Sequence, residues 1–191
     1  LGGNAIVPAG RAGSISEQRT LTRATMAQVA ELVQHGERLV LTHGNGPIVG
    51  NIALRNEAMQ ASIPPIPLDV CGADSQGGIG YMMQQILGNE LRRRGVPQPV
   101  VSVVTQIQVS LEDPAFSNPT KPIGPYYQSD EAECLRRDKN WTLVDDAGRG
   151  MRRVVPSPRP QRIVEIDAIR LLVDNGALVN CVGGGGVPVV A

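Results

Sequence analysis

The chain has 191 residues, and its 18 basic and 18 acidic side chains cancel to a formal net charge of zero. This balance gives no indication of a nucleic-acid or membrane partner. Apolar residues make up 41% of the chain and aromatic residues only 3%, beside 22 glycines and 15 prolines. A small aliphatic core with many glycine turns is typical of an α/β protein with a parallel sheet covered by helices.

The first part of the chain predicts helices that alternate with a buried strand. A capping box at 14–17 starts a helix that runs to about His35, and Gly36 ends it. A short strand is predicted at 38–42, and a second helix follows through Met59.

The rest of the chain continues this alternation around one unusual segment. Helices are predicted at 73–94 and 161–175, and strands at 100–105 and 177–182. Residues 112–160 hold seven of the 15 prolines, two of the three tyrosines and the only tryptophan. We interpret them as an inserted lobe with hairpin strands, within a single domain that spans 1–191.

The cysteines and the chain ends give expectations about the cellular location and the completeness of the chain. Cys71, Cys134 and Cys181 are odd in number, far apart and without metal-ligand spacing, which predicts buried thiols in a cytoplasmic protein. No apolar run approaches the ~18 residues that cross a bilayer, and no signal peptide is visible. The chain begins in a glycine turn and stops after four glycines, so we expect an interior piece of a longer protein.

One pattern occurs twice, at a constant offset of 140 residues. Residues 32–46 and 172–186 both read as helix, glycine stop, short buried strand and glycine-rich turn. The segment 2–4 would be a third such turn. Because ligands of open α/β sheets bind at the carboxyl edge of the strands, these turns predict a site there. Glycines at a strand end let backbone N–H groups approach an anion, although a tight connection also requires glycine.

Several side chains at or near these turns could carry chemistry. His43 has no Ser or Cys nucleophile nearby, so we expect a turn-stabilising or substrate-adjacent role. Asn4 and Asn45 could hold phosphoryl oxygens or simply tolerate a left-handed turn. Lys121 lies between prolines that stiffen its loop, and it could neutralise charge on a transferred phosphoryl group or be a solvated loop lysine. The five arginines between 149 and 162 favour a solvated or lobe-packing face, since no aromatics interleave.

These segments resemble carbamate kinase, of the amino acid kinase superfamily, in family order along the whole chain. The matching blocks are Leu-Gly-Gly-Asn-Ala (1–5), Thr-His-Gly-Asn-Gly-Pro (42–47), Pro-Leu-Asp-Val-Cys-Gly-Ala (67–73), Ser-Gln-Gly-Gly-Ile-Gly-Tyr (75–81), Asp-Pro-Ala-Phe (113–116), Pro-Thr-Lys-Pro-Ile-Gly-Pro (119–125), Arg-Arg-Val-Val-Pro-Ser-Pro (152–158) and Gly-Gly-Gly-Gly-Val-Pro-Val (183–189). The family usually has a larger residue than Gly78.

The resemblance implies a three-layer α/β/α sandwich and reversible phosphoryl transfer between carbamoyl phosphate and ADP, with Mg²⁺. It implies Lys121 as the catalytic residue and a homodimer with an interface from Asp69 through the helix near Asp74. No protein metal ligands are expected, and most of the ATP/ADP site is expected beyond residue 191. The implied substrate-binding residues are Gly2, Gly3, Asn4, His43, Gly44, Asn45, Gly46, Gly183, Gly184, Gly185 and Gly186.

The sequence is also compatible with two other hypotheses about function. One is a non-catalytic module, derived from the same fold, that binds a small anion or pairs with a related subunit. The other is a sister kinase that acts on another small carboxylate or phosphate donor. The block around Lys121 favours carbamoyl phosphate over the second of these.

Overall fold

The computed structural model describes residues 1–2, 6 and 14–190. The predicted turn residues Gly3 and Asn4 lie outside this range. The helices of the described part are α1 (Ile15–Gln34), α2 (Gly46–Ala58), α3 (Leu68–Arg93), α4 (Ser129–Lys139) and α5 (Ile166–Asp174). The strands are β1 (Val40–Leu41), β2 (Val100–Ser102), β3 (Gln106–Gln108), β4 (Lys121–Tyr127), β5 (Leu143–Asp145), β6 (Met151–Val155), β7 (Arg162–Ile163), β8 (Leu178–Asn180) and β9 (Val187–Val189).

The central sheet is parallel and has the strand order β1–β8–β2. Val40 pairs with Val179 on one side of β8, and Val101 pairs with Val179 on the other. Because the strands are parallel and in register, the segments that follow β1 and β8 leave the sheet at the same edge. The repeated pattern at 32–46 and 172–186 therefore forms two neighbouring strands and two neighbouring turns.

Helices cover both faces of this sheet. Leu178 of β8 lies in a core with α1 and α3, where Met26, Met83 and Leu87 are almost fully buried. The next residue, Val179, faces the opposite side and packs in a cluster that contains Ile169 of α5. Alternate strand residues thus bury apolar side chains against two helical layers. This confirms the predicted α/β fold with a parallel sheet between helices.

Helix α1 forms as the sequence predicts. The Ser14 hydroxyl accepts a hydrogen bond from the Glu17 N–H, and a Glu17 carboxylate oxygen accepts one from the Ser14 N–H at 3.0 Å. This reciprocal capping box satisfies backbone donors that the helix itself leaves unpaired. At the other end His35 is the C-cap residue, and Gly36 follows with φ of +90°. A positive φ at that position favours glycine.

Two helix boundaries differ from the prediction. Helix α3 begins at Leu68, five residues before the predicted start, because Pro67 is the extended residue that precedes the first turn. Helix α5 begins only at Ile166, since residues 162–163 form β7, which pairs antiparallel with β3. Strands β7, β3 and β9 form a second three-stranded sheet, and β3 follows β2 in the chain. Neither β3 nor β9 was predicted from the sequence.

Residues 121–155 form an antiparallel sheet with the strand order β4–β6–β5, covered by α4. We call residues 121–155 the lobe. The sequence predicted hairpin strands in this segment but not α4. Helix α2 approaches β4 so closely that a Cβ atom on Gly50 would lie 2.5 Å from the Gly124 Cα atom. This contact requires glycine at position 50 and places β4 over the N-terminal half of α2.

The cysteine prediction is correct at two positions and wrong at one. Cys71 and Cys181 are buried, whereas Cys134 is exposed on α4. Helix α4 is strongly polar, so it covers its sheet with one narrow face and leaves position 134 outside it. Within the described ranges, no helix combines the length and the apolar character that spanning a bilayer demands.

Candidate phosphoryl-binding site

The site lies where the segments that follow β1 and β8 meet. The Gly184 N–H donates a hydrogen bond of 2.7 Å to the His43 carbonyl, which joins the two turns directly. The Thr42 hydroxyl donates to the Val182 carbonyl at 3.0 Å. On the far side of Thr42, the Leu1 backbone nitrogen donates to the Thr42 carbonyl, and the Gly44 N–H donates to the Leu1 carbonyl. The chain leading into Gly2 therefore runs beside the same turn.

The tetraglycine turn, residues 183–186, has a backbone that side chains would block. Gly184, Gly185 and Gly186 have φ values of +64°, +91° and +85°. A Cβ atom on Gly183 would lie 2.6 Å from the His43 ring, and one on Gly184 would overlap the Asn45 side chain. The turn is thus built for close approach of backbone and neighbouring groups. The N–H groups of residues 184–186 already donate hydrogen bonds within the protein. The turn therefore gives a ligand a surface of defined shape and not a set of free N–H donors.

Asn45 is held at the start of α2. Its amide Nδ2 donates to the Ser75 hydroxyl at 2.7 Å, and that hydroxyl donates to the Gly72 carbonyl at 2.6 Å. The Asn45 side chain does not cap α2, and Pro47 in the first turn has no N–H. The helix therefore begins without a side-chain cap, and its positive end favours an anion at this edge.

Lys121 reaches the turns from the first position of β4. Its Nζ atom donates a hydrogen bond of 3.0 Å to the Gly184 carbonyl. The side chain is half-buried, and this burial lowers the pKa of the Lys121 ammonium below its ordinary value of 10.5. No described carboxylate forms an ion pair with Lys121. Its positive charge is therefore available to an anionic ligand beside Gly184.

A cavity of about 250 Å³ joins these groups. Lys121, Asn45, Gly184 and Gly186 line one part of it. The remaining wall is mostly apolar, and it includes Val49, Gly72, Phe116, Ile123, Val155, Val187 and Pro188, while Asp69 adds a carboxylate. A cavity with a few convergent polar groups and an apolar wall suits a small ligand with one charged end.

His43 is not arranged as a catalytic base. The ring is buried, its Nδ1 atom lies 3.1 Å from the Gly44 carbonyl, and it packs against Gly183. Burial lowers the pKa of His43, so the ring stays neutral near pH 7. The geometry agrees with a turn-stabilising role.

Two residues that support the turns were missed by sequence reasoning. The Gln76 side chain of α3 forms a pair of hydrogen bonds with Thr105, accepting from its N–H at 2.8 Å and donating to its carbonyl at 3.1 Å. Thr105 in turn binds both flanks of the tetraglycine turn, because its hydroxyl accepts from the Val182 N–H and its carbonyl accepts from the Val187 N–H. Both side chains are buried. A glutamine inside a predicted helix gives no sequence signal for this role.

The structure thus brings together His43, Gly44, Asn45, Gly46, Lys121 and the tetraglycine turn, with Gly2 nearby. Gly3 and Asn4 lie outside the described residues. No family model matches the chain. The carbamate kinase of Trichomonas vaginalis is 50% identical over 191 residues, which is 100% of this chain and 61% of that protein. The chain belongs to the carbamate kinase family.

Solved structures agree with this assignment. Carbamate kinase from Giardia lamblia bound to citric acid matches with a TM-score of 0.93 and 46% identity, over 98% of this chain and 61% of that chain. The same enzyme bound to AMP-PNP matches with a TM-score of 0.86 and 46% identity, over 98% and 60%. The chain therefore spans about three fifths of the length of the carbamate kinases that it matches.

The state of His43 has a consequence for pH dependence. Its pKa is lowered in the folded protein, so the unfolded chain binds a proton at a higher pH than the folded chain. Stability should fall as pH falls below the ordinary value of 6.5. We expect the free energy of unfolding to drop by at most about 1.4 kcal/mol from this group between about pH 7.5 and pH 5.5. In urea unfolding of His43→Gln, the free energy of unfolding should not show this pH-dependent drop.

The unaltered protein is the reference for this comparison. Urea unfolding of both proteins is measured at several pH values between about pH 5.5 and pH 7.5. Equal pH dependence in His43→Gln and the unaltered protein would contradict the burial argument.

The Gln76–Thr105 pair predicts a stability effect. In Gln76→Leu, the buried Thr105 N–H loses its acceptor, while the Thr105 carbonyl keeps the Val187 N–H. Leaving one buried donor unpaired costs about 1–3 kcal/mol. We expect the midpoint of urea unfolding to fall accordingly. Gln85→Leu, at an exposed position of the same helix, should change it much less. Equal effects of the two substitutions would show that the pair does not stabilise the turn.

Proposed function

We propose that the whole protein transfers a phosphoryl group reversibly between carbamoyl phosphate and ADP, giving carbamate and ATP. Family membership supports this reaction type, because the matched relatives are named carbamate kinases. The observation that carries the proposal is the hydrogen bond from the Lys121 ammonium to Gly184, which places a positive charge beside two glycine turns. The reaction breaks the bond between phosphorus and the carbamate oxygen and forms one to a terminal oxygen of ADP.

The proposed roles follow from charge. Negative charge on the phosphoryl group must be neutralised while that group is transferred, and a positioned ammonium supplies this without a covalent intermediate. Lys121 takes this role. The start of α2 binds the phosphoryl oxygens, the tetraglycine turn shapes the space beside them, and Asn45 orients the carbamoyl group. His43, which is neutral, supports the turn and transfers no proton.

The proposed second substrate, ADP or ATP, is inferred from related proteins. One matched Giardia structure holds AMP-PNP, which supports ATP or ADP as the second substrate. We expect most of the nucleotide site beyond residue 191. Among residues 1–2, 6 and 14–190, no group of three or more His, Cys, Asp or Glu side chains could hold a metal ion. Mg²⁺ is usually held by one or two carboxylates together with nucleotide phosphates, so we expect it to accompany the bound nucleotide.

A comparison of phosphoryl donors tests the proposed function. The full-length protein is incubated with ADP and either carbamoyl phosphate or acetyl phosphate, and ATP formation is followed. We expect turnover with carbamoyl phosphate and at least about tenfold lower kcat/KM with acetyl phosphate, which lacks the amide that a polar site can bind. A preference for acetyl phosphate would indicate a sister kinase. No ATP from either donor would indicate a non-catalytic module.

We also propose that the protein is a cytoplasmic homodimer. Helix α3 carries exposed apolar side chains, with Val70 at 39% and Tyr81 at 57% exposure, and Val104 is exposed at 49%. An apolar surface of this kind favours association with a second copy. Light scattering of the full-length protein should give twice the mass of one chain. A monomer at micromolar concentration would contradict this proposal.

A further inference from the structure

A second cavity lies between helix α2 and the lobe. Its volume is about 220 Å³. Most of its wall is apolar and comes from α2, the segment before α3, the first residue of α3 and strand β4, including Ala53, Leu54, Ile66, Leu68, Ile123 and Pro125. Asn56, Glu57 and Gln60 add polar side chains near the end of α2. The lobe adds Tyr127, Trp141 and Arg153 on the opposite side. Leu68 and Ile123 also line the cavity beside Lys121, so these two side chains stand between the two spaces.

Arg153 is the unusual member of this wall. Its guanidinium lies over the Trp141 ring, 4.2 Å from the ring centroid. Among the described residues, no carboxylate forms an ion pair with Arg153 and no protein acceptor takes its N–H groups. The neighbouring Arg149 and Arg152 differ, because both bind Asp146. Arg153 is therefore a half-buried cation on the cavity wall that no described carboxylate pairs with.

The charges around the cavity leave Arg153 unopposed. Glu57 lines the same cavity, but it is ion-paired with Lys139 across the gap between α2 and α4. The Tyr127 hydroxyl and the Cys71 thiol lie near Arg153, and burial raises the pKa of both, so both are neutral near pH 7. Burial also lowers the pKa of Arg153, because a charged guanidinium is less stable when it is partly removed from water.

We propose that this cavity binds a small organic carboxylate with a short apolar body. A guanidinium presents paired N–H donors that match the two oxygens of a carboxylate, and stacking on Trp141 fixes the plane of that fork. The apolar wall would contact the hydrocarbon part of such a ligand, and inorganic phosphate could not use it. The ligand would contact both α2 and the lobe and would hold them together. This site is separate from the one proposed for phosphoryl transfer.

Trp141 gives a direct readout. Butyrate is titrated into the full-length protein at constant ionic strength, and tryptophan fluorescence is recorded. We expect a saturable change that disappears in Trp141→Phe, and no saturable change with butyramide, which has nearly the same shape but no charge. The apparent Kd for butyrate should rise at least about tenfold in Arg153→Met. It should stay unchanged in Arg137→Met, an exposed arginine of the same lobe.

Several outcomes would overturn the proposal. These are the absence of a saturable change, equal responses to butyrate and butyramide, or equal affinity in Arg153→Met. Loss of the response in Lys121→Met, with Arg153→Met unaffected, would place the carboxylate in the other cavity. An equal, Arg153-dependent response to inorganic phosphate would refute the carboxylate class. If Arg153→Met fails to fold by circular dichroism, the comparison of butyrate with butyramide on the unaltered protein decides the matter.

Discussion

Replacing Lys121 by Met should lower kcat for ATP formation by about 100- to 1,000-fold, the loss found when one preorganised electrostatic donor is removed from a catalytic site. The Nζ atom lies 3.0 Å from the Gly184 carbonyl, at the edge of the proposed phosphoryl site. Its charge would act mainly on the transferred group, so the loss should appear in kcat more than in KM for ADP. Steady-state kinetics of the full-length protein measure both.

The control for this substitution is another cation of the lobe. Arg137→Met removes an exposed charge that is ion-paired with the adjacent Asp138, so kcat should change less than about threefold. Both variants should melt close to the unaltered protein, since Lys121→Met removes one hydrogen bond, worth about 1 kcal/mol, and no described ion pair. If Lys121→Met retained full kcat with a normal melting temperature, Lys121 would have no role in phosphoryl transfer.

Replacing Gly184 by Ala should have the second large effect. The added Cβ would overlap the Asn45 side chain, which the Ser75 hydroxyl holds from behind. Either Asn45 or the tetraglycine turn must move, and both line the proposed phosphoryl site. A displacement of about 1 Å at such a site can cost about 100-fold in rate. We expect kcat/KM for carbamoyl phosphate to fall by about this factor.

Gly185 provides a matched control one residue away. Its φ is also positive, at +91°, but a Cβ atom there would meet nothing within 4 Å. Gly185→Ala therefore carries backbone strain of about 1–3 kcal/mol without a collision. Its melting temperature should fall, while kcat/KM should fall much less than in Gly184→Ala. Equal losses of kcat/KM would mean that strain, and not contact with Asn45, governs the turn.

Local rules predicted the parts of the fold that depend on neighbouring residues. The capping box at 14–17, the glycine stop at Gly36 and the two similar segments 32–46 and 172–186 were all readable because each involves residues close in sequence. The parallel pairing of β1 with β8 then brings the two glycine turns to one edge. The two similar segments therefore predicted the approximate position of the site, at the carboxyl edge of the parallel sheet.

Long-range contacts were not readable in this way. The start of α3 at Leu68 and the pairing of β7 with β3 depend on tertiary partners that override local propensity. The Gln76–Thr105 pair joins residues 29 positions apart, and the contact of Lys121 with Gly184 spans 63 positions. Nothing in a single sequence specifies such distances. The lysine stood out only because prolines flank it.

The most direct test is the binding of carbamoyl phosphate without nucleotide. We propose that Lys121, Asn45 and the tetraglycine turn form the phosphoryl site. Freshly dissolved carbamoyl phosphate is titrated into the full-length protein and into Gly184→Ala and Lys121→Met, and binding is followed by ³¹P NMR line broadening. We expect saturable binding to the unaltered protein and at least about tenfold weaker binding to both variants. Equal binding to all three proteins would contradict it and would place the phosphoryl site elsewhere.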